Sequence, residues 1–224
     1  MKSNLNDAEY HFNKSRELFQ QKRFEEALKE IDKAIELSPR KSDYHYKKAE
    51  ILDTLGRYEE ALKEYDEVIE LEPNNSKHYY RRAFELHKLG RYEEALNEFS
   101  KAVELDPNNP EYRFWKYSLL HELGRYDEAL NELEKVIELN PKDPDYLIHY
   151  AELEANLGSP EKAIEKIKDL VKSGIVDRDK LCEEVEFMQE LVEEGEVVLN
   201  EKELSALRDI KKAVCQNEVY GVDS

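Results

Sequence analysis

At 224 residues, with 40% apolar and 38% charged side chains, the chain has a composition suited to thin layers with large solvated faces. A net charge of −18 argues against general nucleic-acid binding, because neutralising phosphate needs clustered Lys and Arg. No apolar run approaches the roughly 18 residues of a membrane span, and the opening MKSNLNDAEY is too polar for a signal peptide, so the expected location is the cytoplasm.

Along the chain, Ala27, Ala61, Ala95, Ala129 and Ala163 recur every 34 residues, and the segment GRYEEALKEYDEVIELEPNN at 56–75 returns at 90–109 and 124–143. A unit of this length cannot bury its own apolar face and must stack on its neighbours, giving one elongated domain. The punctuation fits a helix pair per unit. Gly56, Gly90, Gly124 and Gly158 fall between two amphipathic stretches, where a left-handed residue ends one helix and turns into the next. Pro39, Pro73, Pro107 and Pro141 follow the second stretch and help to stop it. The other prolines follow Asn109, Asp143 and Ser159, which reads as a capping side chain and then proline at the first helical position. In the second stretches the apolar residues keep helical spacing, as in Ala61, Leu62, Tyr65, Val68, Ile69 and Leu71.

The predicted units are an N-terminal tail at 1–7, helix pairs at 8–41, 42–75, 76–109, 110–143 and 144–175, a degenerate helical pair at 176–215 and a flexible tail at 216–224. Repeat one has Lys22 in place of the turn glycine, and repeat five has Pro160 where the others have an aromatic residue, which predicts a different helix junction there. Beyond 175 the period fails. Leu181, Val185, Met188, Leu191 and Val192 still form a helical stripe that Gly195 ends, and Asn200 with Glu203 has capping-box spacing before a last helix with Leu204, Leu207, Ile210 and Val214 facing inward. This pair is expected to close the open end of the stack. Cys182 and Cys215 form no CxxC or zinc framework and read as two half-buried free thiols.

The 34-residue unit, with a small residue in its first helix at Ala49 and Ala83 but Tyr117 in the fourth copy, Ala and an aromatic in its second, and a terminal Pro, resembles the tetratricopeptide repeat. A basic residue, Lys14, Lys48, Arg82 or Lys116, precedes the small position. The resemblance implies an all-α, right-handed solenoid of helix-turn-helix repeats with a C-terminal helical cap, whose first helices line a concave face that binds peptides. On that face it places Phe12, Tyr46, Tyr80, Phe114 and Ile148, and one turn on Arg16, Glu50, Phe84, Ser118 and Glu152. The candidate groove residues are Arg16, Tyr46, Lys47, Lys77, Tyr80, Arg81, Phe84, Phe114 and Trp115, cations beside aromatics suited to an acidic or carboxylate-ended peptide. The carboxylate clamp known in this family is matched only at Lys77 and Arg81. His87, His121 and His149 read as neutral groove residues rather than metal ligands.

Glycine-rich phosphate loops, serine elbows and zinc-protease histidine pairs are absent from the sequence, so neither an enzyme nor a cofactor is expected. The expected role is a non-enzymatic scaffold for a protein or peptide partner, without nucleic acid or membrane. A structural or self-associating repeat protein, natural or consensus-designed, with no dedicated ligand is the alternative. Varied inward residues favour the first, and the near-identity of repeats two to four the second.

Overall fold

The computed structural model describes residues 2–216, with side chains from residue 6 onward. Most of the tail expected at 216–224 therefore lies outside the described residues. The described chain is all helical, with no strand, and divides into two compact units, Met1–Pro107 and Asn108–Ser224.

Unit 1 holds α1 (Lys2–Gln20), α2 (Phe24–Leu37), α3 (Ser42–Thr54), α4 (Tyr58–Leu71), α5 (Ser76–Lys88) and α6 (Tyr92–Leu105). Each odd helix pairs with the even helix after it, and α2 and α4 also stack on the next pair. Unit 2 holds α7 (Pro110–Glu122), α8 (Tyr126–Leu139), α9 (Pro144–Leu157), α10 (Pro160–Lys172), α11 (Arg178–Glu193), α12 (Glu201–Ile210) and a π-helical turn, Lys211–Cys215. The backbone is helical from Lys2, ahead of Ala8 where the sequence pattern starts the first repeat.

Small residues set how closely the helices of a pair approach. Ala27, Ala61, Ala95, Ala129 and Ala163 are all fully buried, as are Ser15, Ala49 and Ala83 on the facing first helices. Tyr117 breaks this column and is nonetheless buried, its ring lodged among Phe114, His121 and His149.

Helix ends follow the punctuation. Gly56, Gly90, Gly124 and Gly158 all have positive φ, and paired bonds such as Gly56 N–H to Asp53 O (2.9 Å) and Arg57 N–H to Leu52 O (2.9 Å) close a left-handed helix end. Lys22 adopts the same conformation at φ 60°, although it carries a Cβ. Repeat five keeps the turn, with Ser159 N–H to Glu154 O at 2.8 Å. What it lacks is the clamp of the other copies, where Arg23, Arg57, Arg91 and Arg125 grip Glu26, Glu60, Glu94 and Glu128 three residues on. Asn109 and Asp143 cap α7 and α9 as expected, but the Ser159 side chain makes no capping bond. The Asn200–Glu203 capping box is present, and Gly195 ends α11 at φ 77°.

The cysteines are not free. Cys182 of α11 and Cys215 of the π turn are joined in a disulfide. Spacing along the chain gave no sign of it, because 33 residues separate the two and only the return of α12 brings them together. The C-terminal pair also differs from a sixth repeat laid on α10. Instead α12 packs along α9, leaving a cleft of ≈ 600 Å³ between α10 and α12 that is lined by Ile164, Lys168, Asp209 and Lys212.

Candidate peptide-binding groove

A column of acids on the second helices fixes the first helices before any ligand arrives. Glu30 accepts from Lys14 (3.3 Å) and His11 (2.6 Å), Glu64 pairs with Lys48 (2.8 Å) and His45 (2.7 Å), and Glu132 pairs with Lys116 (3.0 Å) and Arg113 (2.9 Å). The basic residue before the small position is thus structural in each copy. Paired donors outweigh burial and hold all three carboxyls below the usual range, Glu30 at about 2. Glu98 has Arg82 at 2.9 Å, but Tyr79 stands where the second donor would be and sends its hydroxyl to Pro73 O. Glu98 Oε2 is buried without a partner, and burial raises its pKa. The period-34 column Glu30, Glu64, Glu98, Glu132, facing an equally periodic basic column, was the signal for this network.

In unit 1, Phe12, Arg16 and Phe19 of α1 and Tyr46, Lys47 and Glu50 of α3 line one cavity of ≈ 420 Å³. From α5, Lys77 places its Nζ 5.0 Å from the Tyr46 ring centre. The Arg81 guanidinium lies 6.0 Å from the Tyr80 ring, and Arg16 lies 5.7 Å from Phe12. Phe84 stands edge-on to Tyr80 at 4.9 Å and to Phe99 at 5.5 Å, which anchors the aromatic row to α6. Arg16, Lys77 and Arg81 are exposed. No ion pair among the described residues takes any of the three, whereas Lys47 is engaged with Glu50 at 3.2 Å and with the Phe19 ring at 3.7 Å. The Tyr46 hydroxyl is buried without a hydrogen-bond partner. Burial works against the Arg81 charge, but Tyr46, Tyr65, Tyr80 and Glu50 around it more than offset this and raise its pKa.

Phe114 and Trp115 belong to unit 2. Phe114 sits among Tyr117, Tyr146 and His149 at 5.4–5.6 Å, while Trp115 is 37% exposed. His87 and His121 each meet the tyrosine that starts the next helix, Tyr92 at 5.3 Å and Tyr126 at 5.4 Å, and His149 pairs with Glu152 at 3.1 Å. Among the described residues no group of His, Cys, Asp and Glu is placed to hold a metal ion, and no helix is long and apolar enough to cross a membrane.

Solved structures share this fold. One is described as the crystal structure of MamA protein, with a TM-score of 0.67 and 14% identity over 77% of this chain and 92% of that one. MamA 41-end from Desulfovibrio magneticus RS-1 matches at 0.64 with 20% identity over 74% and 94%. YrrB, described as a TPR protein with an unusual peptide-binding site, matches at 0.61 with 27% identity over 76% and 88%. No curated protein matches the sequence. Models described as tetratricopeptide repeat match residues 12–76, 64–97, 86–147 and 120–174, which together span most of the chain. With the helix pairs, the alanine column and the turn glycines, these matches make the chain a member of the tetratricopeptide repeat family.

Proposed function

We propose that unit 1 is a non-enzymatic interaction module that binds an acidic or carboxylate-ended peptide segment along α1, α3 and α5. The observation that carries this reading is the set Arg16, Lys77 and Arg81, three exposed cations on aromatic faces that no carboxylate among the described residues pairs, in a chain of net charge −18. Elsewhere in unit 1 the structural cations Lys14, Lys48 and Arg82 and the clamp arginines are bound to carboxylates. A peptide carboxylate would supply the missing counter-charge with bidentate geometry at arginine, and a peptide polar group would satisfy the Tyr46 hydroxyl. Phe84, backed by the buried Tyr80 ring, offers a rigid apolar surface beside these charges. The 27% identity to YrrB, itself described as having a peptide-binding site, supports the same reading.

The test compares Arg81→Glu with Arg91→Glu, since Arg91 is held in its clamp with Glu94 at the helix junction. Binding of a fluorescent heptapeptide ending in three acidic residues is expected to weaken at least tenfold in Arg81→Glu and little in Arg91→Glu. Equal losses would mean that net charge alone governs binding and would remove the groove from the account.

A further inference from the structure

The tetratricopeptide helix α9 is covered on a face that α3 and α7 leave half open and on which α5 buries only Tyr80. Its inward residues Ile148 and Glu152 are 1% and 6% exposed. In α3 and α7 both members of the matching pair, Tyr46 with Glu50 and Phe114 with Ser118, are only half-buried. The cover is α12, which packs along α9 and buries Ala206, Leu207 and Ile210 completely or nearly so.

Its acidic first turn reaches the groove side chains of both first helices in unit 2. Glu203 Oε1 accepts from Asn156 Nδ2 of α9 at 2.8 Å and lies 3.7 Å from His121 Nε2 of α7. Asn200 Nδ2 donates to Asn156 Oδ1 at 3.1 Å, and Lys202 Nζ to the Asn156 carbonyl, also at 3.1 Å. At the other end Arg178 of α11 donates to the carbonyls of Val214 (2.9 Å) and Cys215 (2.7 Å), and the Cys182–Cys215 disulfide fastens the π turn to α11. The seat is incomplete: Glu152 Oε1 is buried beneath this region with no partner, and the cleft beside α10 keeps α12 from packing on that helix along its length.

We infer that the inward face of α7 and α9 is a second recognition site, specific for an amphipathic helix with an acidic first turn, and that α12 is its resident ligand, locked in place by the Cys182–Cys215 disulfide. Thiol–disulfide exchange with a dithiol opens the lock. The dithiol delivers two electrons and two protons, both cysteines become thiols, and the reductant leaves as its own disulfide. Losing a link that closes a loop of this length shifts the balance between seated and released α12 by up to about five-hundredfold. Release exposes Ile148 and Glu152 to an external helix. In an oxidising compartment the site stays closed, and in a reducing one it is open to exchange.

The full chain tests this by hydrogen exchange in oxidised and dithiol-reduced forms, with Cys182→Ser/Cys215→Ser as a reductant-free counterpart. Amides of residues 201–210 are expected to exchange at least tenfold faster once the bond is lost, with α7 and α8 unchanged. A fluorescein-labelled synthetic peptide of residues 198–214 is expected to bind the reduced chain at least tenfold more tightly than the oxidised chain, and the same peptide with Leu207→Glu is expected not to bind. Unchanged exchange in 201–210 on reduction, or peptide binding that is absent or indifferent to the disulfide, overturns the proposal. The reduced wild-type chain distinguishes these outcomes even if the serine variant fails to fold.

Discussion

Position ten of the first helices is apolar and buried in α3, α7 and α9, at Ile51, Leu119 and Leu153, but in α5 it is Glu85. This side chain is 2% exposed, and its Oε2 has no hydrogen-bond partner. Its nearest cation, Lys88 Nζ, lies 3.5 Å from Oε1 and is shared with Asp53 of α3, with which it makes the closer pair. Burial and the Asp53 charge push the Glu85 carboxyl from 4.5 up to about 7, although Lys88 pulls it down. Tyr65 of α4 also feels the Glu85 charge.

A raised carboxyl keeps its proton in the folded chain while the unfolded chain has already lost it. Stability therefore falls as pH rises from 4.5 to about 7, and the loss is complete above that. At about 1.4 kcal/mol per pH unit the window corresponds to about 3 kcal/mol, a large share of the stability of a small domain. Glu85→Leu removes this titration and restores the residue type of its column. Relative to wild type, the variant is expected to gain about 3 kcal/mol between pH 4.5 and pH 8. Urea unfolding across that range, followed by circular dichroism and by exchange of the α5 amides, measures it. Wild-type and variant stabilities that run parallel with pH would refute the buried charge, whatever their absolute offset.

Four further outcomes follow from the repeat columns. Tyr79→Arg gives Glu98 the second donor that Glu132 has in Arg113, and is expected to stabilise the chain by about 1 kcal/mol at pH 7 in urea unfolding, with the gain lost once Glu98 is protonated. Lys22→Gly relieves a left-handed residue with a Cβ and is expected to add roughly 0.5 to 1 kcal/mol. Gly90→Ala, with φ 71° and open space around the new methyl, is expected to lose about 1 kcal/mol through backbone conformation alone. Ala95→Phe forces a ring into a fully buried helix contact and is expected to destabilise by roughly 1 to 3 kcal/mol, so unchanged thermal unfolding would contradict the assigned core.

Features encoded locally were legible in the sequence. Turn glycines, the alanine column and the Asn200–Glu203 box are decided by residues within one or two turns of each other, and their 34-residue recurrence repeats the signal. Lys22 stood out because it breaks such a column, and Glu85 could have been found in the same way beside Ile51, Leu119 and Leu153. Ser159 misled because a capping residue type does not guarantee a capping geometry. The groove cations could be named from sequence, but whether they are spent could not. Lys47 and Arg81 look alike in the sequence, and only the fold sets Lys47 against Glu50 and Phe19. The disulfide and the seating of α12 lay furthest from view, since both depend on how the chain returns after the period has failed.

The binding of an acidic peptide to the full chain tests the central claim most directly. Calorimetric titration compares a heptapeptide ending in three acidic residues and a free carboxylate with its counterpart in which the acids are glutamines and the end is amidated. If Arg16, Lys77 and Arg81 form a carboxylate-recognising face, the acidic peptide binds at least tenfold more tightly and its advantage shrinks as salt is raised. Equal affinities, or no binding of either peptide, would contradict the account.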